Sequence, residues 1–337
     1  MGQCFSRKHV DYISSEGVVP SSYTEKTESL DEYWDARSEI SWQSACTSLQ
    51  EDSSDINQAL ERALEYQREA KILQARECLL DVSDEDFWMN FGDERVSRIL
   101  KNASLVTHAL QDIDVEEGFL LSREKPIRLL YKHEKGGTSH SIKIKVVLNH
   151  PIKHVVSIPY EWDLLPTWNK YALDAVTYES PHPHETVVYG ASWMIPPFRD
   201  FHAVLRATGF DVSEEHGSLV ITVQDCEHIM CDLTLPPKAK DRKIVNFLDG
   251  CYIVLKPIFH GDEVHTDAVL CVHLDPHIPG IPSSVVNFVL HIFAPYLFRQ
   301  VDKTLNTLFY EGSTYSKRME ASPDVYQLLD RAVESLR

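Results

Sequence analysis

The sequence is short of positive charge. Its 337 residues include 33 Lys and Arg against 51 Asp and Glu, which gives a formal net charge of −18. Proteins that bind nucleic acid need a basic surface for the phosphate backbone, so no nucleic-acid partner is expected. The seven cysteines are an odd number without closely spaced pairs. This usage argues against a disulfide framework and against a structural zinc site, and it fits a reducing cytosol.

The motifs of the common enzyme classes are also missing. There is no GxSxG nucleophile elbow, no glycine-rich phosphate loop and no HExxH zinc motif. His182, His184 and Glu185 could together ligate zinc, but they lie between predicted strands, where a polar turn is the simpler explanation. We therefore predict a protein that is not an enzyme and holds neither cofactor nor metal. A Cys–His nucleophile assembled only in space stays open as an alternative.

No apolar run is long enough to cross a bilayer. The longest one covers about 14 residues, against the roughly 20 that a spanning helix needs. It also contains Asn287, His291 and Pro295. The pattern predicts a long helix over residues 283–309, kinked at Pro295. The early half of this helix is apolar on most sides, so it must be covered by protein or by a ligand.

The first ten residues, MGQCFSRKHV, match the pattern for N-terminal lipidation. Gly2 is then the myristoylated residue, and Ser6 occupies the favourable position after it. One acyl chain gives only marginal membrane binding, and a palmitoylated Cys4 would supply the second signal. Arg7 and Lys8 add a weak attraction to anionic headgroups. We predict a peripheral protein of a cytosolic membrane face; the alternative is a chance Met-Gly start with an idle thiol.

Composition and periodicity divide the chain into four regions. Residues 1–55 are acidic and polar without an apolar period, and they predict a disordered tether. Residues 56–83 form a helical extension, in which the helix over 56–80 has a thin apolar stripe suited to peripheral packing or to a protein partner. Residues 84–310 form the main domain. Residues 311–337 form a C-terminal tail with an amphipathic helix.

From Gly118 onward the apolar period changes to two, which is the period of a strand. The pattern predicts a helical stretch over 151–169 and strands over 127–132, 142–148, 175–179, 186–193, 202–212, 219–224, 244–258 and 264–274. Many antiparallel strands followed by a long apolar helix predict an α+β fold. In this fold a curved antiparallel sheet wraps around the C-terminal helix.

Three segments carry a resemblance to a known family. They are LPTWN at 165–169, PFRDF at 197–201 and DPHIPGIP at 275–282. Their order and spacing resemble the START family, the lipid-transfer domains related to steroidogenic acute regulatory protein, over about residues 84–309. Asn246 departs from the family, since many members carry an Arg near this position, and DPHIPGIP lacks the family's paired glycines. The resemblance implies a helix-grip fold whose sheet and final helix enclose a tunnel for one lipid.

The resemblance implies a lipid cavity, and we predict that a gate closes it. The gate would consist of the loop 194–200 and the helix 283–309, whose proline and aromatic side chains can rest on a membrane interface; the alternative is a rigid core helix beside a surface loop. The cavity and gate residues would be Trp193, Met194, Pro197, Phe198, Arg199, Asp200, Val285, Phe288, Val289, Ile292, Phe293 and Tyr296. An inward-pointing Arg206, paired with Glu185, could orient a polar lipid head. The simpler alternative for this pair is a solvated outer face.

Three functions remain open at this point. The first is lipid binding and transfer, in which the tether lets the domain sample nearby membranes. The second is an enzyme of the wider helix-grip superfamily that acts on a hydrophobic substrate, and it would need titratable groups that converge in the cavity. The third is a membrane-tethered lipid sensor or scaffold. The lipid itself can be a sterol, a phospholipid or a sphingolipid.

Overall fold

The fold is known from a computed structural model of the protein. The structure describes residues 55–133, 137–178, 182–196, 198–226, 233–261, 263–278 and 281–337. Gly2, Cys4 and Pro197 lie outside these ranges, as does the predicted tether up to residue 54, so the lipidation remains a prediction. Within the described ranges, no helix combines the length and the apolar character that crossing a bilayer requires.

Helices occupy both ends of the stretch from residue 55 to residue 337 and two stretches between strands. Their bounds are α1 (55–68), α2 (Ile72–Leu80), α3 (Glu85–Asn90), α4 (Glu94–Asp112), α5 (Ile152–Tyr160), α6 (Leu165–Trp168), α7 (Ser213–His216), α8 (Ser283–Phe288), α9 (Ala294–Leu308), α10 (Thr314–Ala321) and α11 (Pro323–Glu334). Aspartates cap α3 and α4: Asp84 accepts a hydrogen bond from the Phe87 N–H, and Asp93 accepts one from the Arg95 N–H. Such caps satisfy N–H groups that have no partner within the helix.

The helix predicted over 56–80 is two helices, α1 and α2. The chain turns at Ala70, whose backbone φ is +64°, and the Lys71 N–H donates to the Tyr66 carbonyl at 2.9 Å. The apolar sides of both helices are buried: Ala59, Leu60, Ala63, Leu64, Ile72, Ala75 and Leu79. The apolar stripe of this segment therefore packs in the core, and a protein partner would have to contact the polar sides of α1 and α2.

The sheet has eleven strands in the order β1-β2-β3-β11-β10-β7-β6-β5-β4, with β8 beside β6 and β9 beside β11. All these pairs are antiparallel except β6 with β8. The strand predicted over 244–258 is three strands, because a turn with Gly250 at φ +90° interrupts it. The bounds are β1 (Leu120–Arg123), β2 (Arg128–His133), β3 (His140–Leu148), β4 (Ala172–Tyr178), β5 (Glu185–Ser192), β6 (Phe201–Val212), β7 (Ser218–Asp225), β8 (Lys243–Ile244), β9 (Asn246–Phe247), β10 (Cys251–His260) and β11 (Glu263–Asp275).

The C-terminal helix is continuous from α8 into α9 through a π-helical turn, Val289–Phe293. We call these three parts together the composite helix. The predicted irregularity is present, but it takes the form of this π turn just before Pro295. Pro295 lies in the first turn of α9 and has no N–H to donate backward, so the regular bonding pattern cannot run through it. The predicted tail helix is α11, while α10 had no sequence signal that we recognised.

The two faces of the sheet are covered by different helices. Successive side chains of a strand point to opposite faces, and the strand pairing fixes which positions share a face. The α4 face carries the side chains that pack against α1, α2 and α4. It includes Phe210, Val220, Tyr252, Val254 and Cys271, which are all 3% exposed or less.

The opposite face, which we call the α9 face, lies beneath the composite helix. Val286, Leu290, Ala294 and Phe298 pack there against side chains of β2 and β3. Farther along the face, α5 and α11 cover the ends of β7, β10 and β11. The long C-terminal helix therefore rests on the sheet, as the predicted fold requires.

Candidate functional site

The middle of the α9 face is apolar but incompletely covered. Its side chains on the central strands all keep accessible surface: Ile142, Ile144 and Val146 of β3, Ile221 and Val223 of β7, Ile253 of β10, and Leu270 and Val272 of β11. The helices that cover this face therefore do not seal it completely, and a space that solvent can reach remains beside these side chains.

One side of this space is closed by direct packing of the composite helix on the sheet. Leu290 and Ala294 are buried against Ile127 and Leu129, which lie at the start of β2. These contacts attach the π turn and the beginning of α9 to the β2–β3 edge. The helix is thus fixed along one edge of the α9 face.

The other side is closed by an aromatic cluster. It consists of Tyr171, Trp193, Phe288, Phe293 and Tyr296. Ring centroids of Tyr171 lie 5.6 Å from Trp193, 6.2 Å from Phe288, 5.4 Å from Phe293 and 5.0 Å from Tyr296. The structure thus brings four of the sequence-predicted residues together around Tyr171, which sequence reasoning missed because it lies between α6 and β4 without a periodic pattern.

Trp162 covers the α9 face near β5 and β6. Its indole Nε1–H donates to the Tyr189 carbonyl at 2.9 Å, and its ring lies directly over Gly190. A Cβ at residue 190 would come 2.8 Å from the indole Cζ2, so only glycine allows this approach. Val188, Ala203, Leu205, Val223 and Phe247 complete the apolar group around this ring.

Two polar side chains lie on the α9 face near the β2–β3 edge. The Tyr131 hydroxyl and His140 Nδ1 are 2.8 Å apart, and the strand pairing puts both residues on the α9 face. His140 Nε2 is buried and has no hydrogen-bond partner among the described residues. Burial lowers the pKa of His140, so the ring is neutral at pH 7. Its Nε2 therefore keeps one unused hydrogen-bonding position within the packed α9 face.

The loop 194–200 folds back on itself beside the aromatic cluster. The Met194 N–H donates to Asp200 Oδ1 at 3.1 Å, and the Phe198 N–H donates to the Ile195 carbonyl at 3.1 Å. Met194, Phe198 and Asp200 are partly buried, whereas Arg199 is exposed. The loop thus begins directly after Trp193, where the aromatic cluster contacts the composite helix.

The remaining predicted helix residues divide between the two sides of the composite helix. Val285 is buried and Val289 is partly buried. Ile292 is 55% exposed, so most of its side chain faces solvent.

Glu185 and Arg206 form the predicted ion pair, but on the opposite face from the one predicted. Arg206 Nε lies 3.5 Å from Glu185 Oε1, and Arg98 of α4 also pairs with Glu185. Arg206 shares its side of β6 with Phe210, which packs against α4. The pair therefore lies on the α4 face and does not contact the space beneath the composite helix.

The described residues contain no group of three or more His, Cys, Asp and Glu side chains arranged to hold a metal ion. The rings of His182 and His184 stack at 5.6 Å, and the next residue, Glu185, is engaged by the two arginines. Burial lowers the pKa of His184 to about 4.

No family model and no curated protein matches the chain. Solved structures do match it. Human STARD10 aligns at 14% identity with a TM-score of 0.50, covering 72% of this chain and 88% of that one. The chain has the helix-grip fold of the START domains. Human StAR-related lipid transfer protein 5 aligns at 12% identity and a TM-score of 0.49, covering 63% of this chain and 97% of that one. A StAR-related lipid transfer protein fragment from Xanthomonas axonopodis aligns at 14% and 0.43, covering 57% and 100%.

Proposed function

We propose that the protein binds and transfers one lipid, which it holds between the α9 face and the composite helix. The observation that carries this proposal is the incomplete burial of apolar side chains on the α9 face. Apolar surface of this extent is normally covered by protein, and a hydrophobic ligand can cover it instead. The helix-grip fold shared with lipid-transfer proteins is consistent with this assignment.

Hydrophobic burial alone does not determine which molecule is taken up. It contributes about 25 cal/mol per Å² relative to water, but a lipid leaves a bilayer that is just as apolar. Net uptake therefore depends on shape and on a few polar contacts. Tyr131 and the free His140 Nε2 supply such contacts. Their position predicts that a hydroxyl or carbonyl oxygen of the lipid head lies near the β2–β3 edge.

The gate that we propose consists of the loop 194–200 and the composite helix. The aromatic cluster joins Trp193, which directly precedes the loop, to the composite helix. Its separation at Tyr296 would break one backbone hydrogen bond, from the Lys170 N–H to the Tyr296 hydroxyl. The π turn Val289–Phe293 supports a helix that pivots about its contacts with the β2–β3 edge, since such turns interrupt the regular bonding ladder and often occur at functional sites. Opening at Trp193 and Phe288 would expose the space to a membrane surface.

Membrane attachment is the second part of the proposal. A myristoylated Gly2 with a palmitoylated Cys4 would hold the domain at a cytosolic membrane face. The tether would then keep the domain at high effective concentration near the bilayer. The described structure begins at residue 55, so this part rests on the sequence pattern alone.

Native mass spectrometry of the full chain, followed by lipid extraction, tests the proposal. We expect one bound lipid per chain, released chemically unchanged, and a myristoyl group on Gly2 after expression in a eukaryotic host. Leu270→Trp adds a large ring on the α9 face, and we expect it to lower lipid occupancy and liposome-to-liposome transfer about tenfold, or roughly 1.4 kcal/mol.

Val147→Trp is the matched control, because it adds the same ring at a mostly exposed position on the opposite face of the adjacent strand β3. We expect its occupancy and transfer to equal those of the native chain. A Leu270→Trp protein that still carries a full complement of lipid would refute the proposed location. A lipid that is released in altered form would instead favour an enzyme, and binding without transfer would favour a sensor.

A further inference from the structure

A second recess lies outside the lipid space, at the place where the loop 194–200 meets the lead into the composite helix. It is an open recess of about 580 Å³. Three separate parts of the chain supply its lining: the loop, the segment from Arg242 through β8 to β9, and the segment after β11. The lining residues are Arg199, Arg242, Lys243, Ile244, Asn246 and His277. This set includes three permanent cations and no carboxylate.

Arg242 is the cation already committed to protein partners. One of its Nη atoms lies 2.5 Å from Asp174 Oδ2 and donates to the Tyr189 hydroxyl at 2.9 Å. Its side chain is only 7% exposed. Arg242 therefore forms the fixed, nearly neutralised back of the recess.

Arg199 and Lys243 are different. Within the described part of the chain, neither has a carboxylate within ion-pair distance, and Lys243 Nζ donates to the His277 carbonyl at 3.1 Å. Arg199 is exposed on the loop. The recess therefore presents two uncompensated positive charges, although the chain as a whole carries −18.

The third part of the lining is held rigidly. His277 has a left-handed backbone φ of +50°, and its N–H donates to Asp275 Oδ1 at 2.7 Å. Its ring contacts Asp275 through Nδ1 at 3.4 Å and Asn246 through Nε2 at 3.0 Å. On the opposite wall, the Lys243 N–H donates to the Asp200 carbonyl at 2.8 Å. Lys243 thus projects from anchored backbone, and the same hydrogen bond ties the residue after Arg199 to β8.

We propose that this recess binds a phosphate group. A guanidinium matches phosphate oxygens through two parallel hydrogen bonds, and an ammonium adds a point charge beside it. The group can belong to an anionic lipid headgroup at a membrane surface or to a free phosphorylated molecule. This site stands independently of the lipid proposed for the space beneath the composite helix, because the two share no lining residue.

Such an anion would contact one of the two segments that we propose as the gate. Arg199 belongs to the loop 194–200, while His277 precedes the composite helix by a few residues. A phosphate held by Arg199 and Lys243 would therefore link the loop to β8, whose lysine also contacts the helix lead. An anionic surface bound at this position would therefore contact the loop 194–200 of the gate directly.

The test uses the full chain with Gly2→Ala, so that no acyl chain contributes to binding. We would measure its binding to phosphatidylcholine vesicles with and without phosphatidic acid, and its binding to glycerol phosphate by calorimetry. Arg199→Gln with Lys243→Gln is expected to weaken phosphate-dependent binding about tenfold or more, since a hydrogen bond to a charged group contributes about 1.5–3 kcal/mol. Arg199→Gln alone, at an exposed position, is expected to lower binding several-fold.

Lys238→Gln with Lys240→Gln is the matched control. It removes the same charge from two exposed lysines close in sequence to the recess but outside its lining, and we expect less than a twofold change. Vesicle binding that needs phosphatidic acid and the recess supports a lipid headgroup. Binding of glycerol phosphate alone, with the same dependence on the recess, supports a free phosphorylated molecule. If neither probe binds, or if both pairs of substitutions weaken binding equally, the proposal is overturned.

Discussion

The two faces of the sheet carry the same kinds of apolar side chain but bury them to different degrees. On the α4 face, five apolar side chains of the central strands are almost completely buried beneath helices: Phe210, Val220, Tyr252, Val254 and Cys271. In the middle of the α9 face, side chains of the same strands remain partly exposed, whereas Leu219, Leu255 and Ala268 farther along that face are buried beneath α5 and α11. Ile253 and Val254 are neighbours on β10, yet only Val254 is fully packed.

This difference assigns separate tasks to the two faces. Close packing contributes most of the stability that a core can give, so the α4 face with α1, α2 and α4 must supply it. The α9 face gives up part of that packing and keeps space. If packing on the α4 face stabilises the fold, the α9 face can accommodate a ligand or an empty space.

The largest effect is expected at Lys143, the fully buried cation of the α4 face. Its Nζ lies 2.8 Å from Asp112 Oδ2 and donates to the carbonyls of Asp112 and Val115. Lys143→Met leaves these acceptors without their donor. We expect the free energy of unfolding, measured by urea denaturation, to fall by about 3–5 kcal/mol.

Lys145 is the matched control for this prediction. It points to the same face two residues later, but it pairs at 3.6 Å with Asp114, which is exposed, and at 3.1 Å with Glu116, which is partly exposed. Lys145→Met should therefore cost less than about 1 kcal/mol. Equal losses from the two substitutions would show that the buried ion pair does not stabilise the α4 face.

A direct comparison of the two faces uses two valines of β7. Val220 is fully buried on the α4 face, and Val223 is partly exposed on the α9 face. Val220→Ala removes close contacts and leaves a cavity, so we expect a loss of about 2–3 kcal/mol. Val223→Ala borders existing space and should cost less than about 1 kcal/mol.

Urea unfolding of lipid-free protein measures both valine variants in the same way. Similar losses at the two positions would mean that the α9 face packs as closely as the α4 face. The proposal of a space beneath the composite helix, and of a lipid site within it, would then be wrong.

The sequence predicted the alternation of strands well and the choice of face poorly. Period-two patterns located β3, β6, β7 and β11 within a few residues, because each strand packs apolar side chains on a helix-covered face. A period of two along β6 puts Arg206, Phe210 and Val212 on one side of the strand, and the strand pairing agrees. The period does not show which helices cover that side, because helices cover both faces of the sheet. A shift of one residue in register would also exchange the two faces of a strand.

Two local features had no signal of their own. The break between α1 and α2 lies at Ala70, a residue that favours helix, and it follows from contacts of the turn with the sheet, where the Asp211 N–H donates to the Ala70 carbonyl at 2.9 Å. Tyr171 is the centre of the aromatic cluster, but it precedes β4 without a motif. Both are consequences of tertiary packing that a single sequence does not display.

The smallest expected change in the free energy of unfolding comes from an ionisable group on the α9 side, His154. His154 of α5 stacks on Phe309 at 4.5 Å, and burial lowers its pKa to about 4. The unfolded chain, with a pKa near 6.5, binds a proton between pH 6.5 and 4 that the folded chain does not. Stability is therefore lost as the pH falls through this window, by about 1 kcal/mol at pH 5.5.

Urea unfolding at pH 7.5 and 5.5 measures this term, and His154→Gln should reduce the difference between the two pH values by that amount. His216→Gln is the control, because His216 is exposed on α7 and its removal should leave the difference unchanged. A His154→Gln protein with the native pH dependence would show that the ring is charged in the fold. The α9 side would then tolerate a cation as the α4 face tolerates Lys143, and the contrast between the two faces would be confined to their apolar packing.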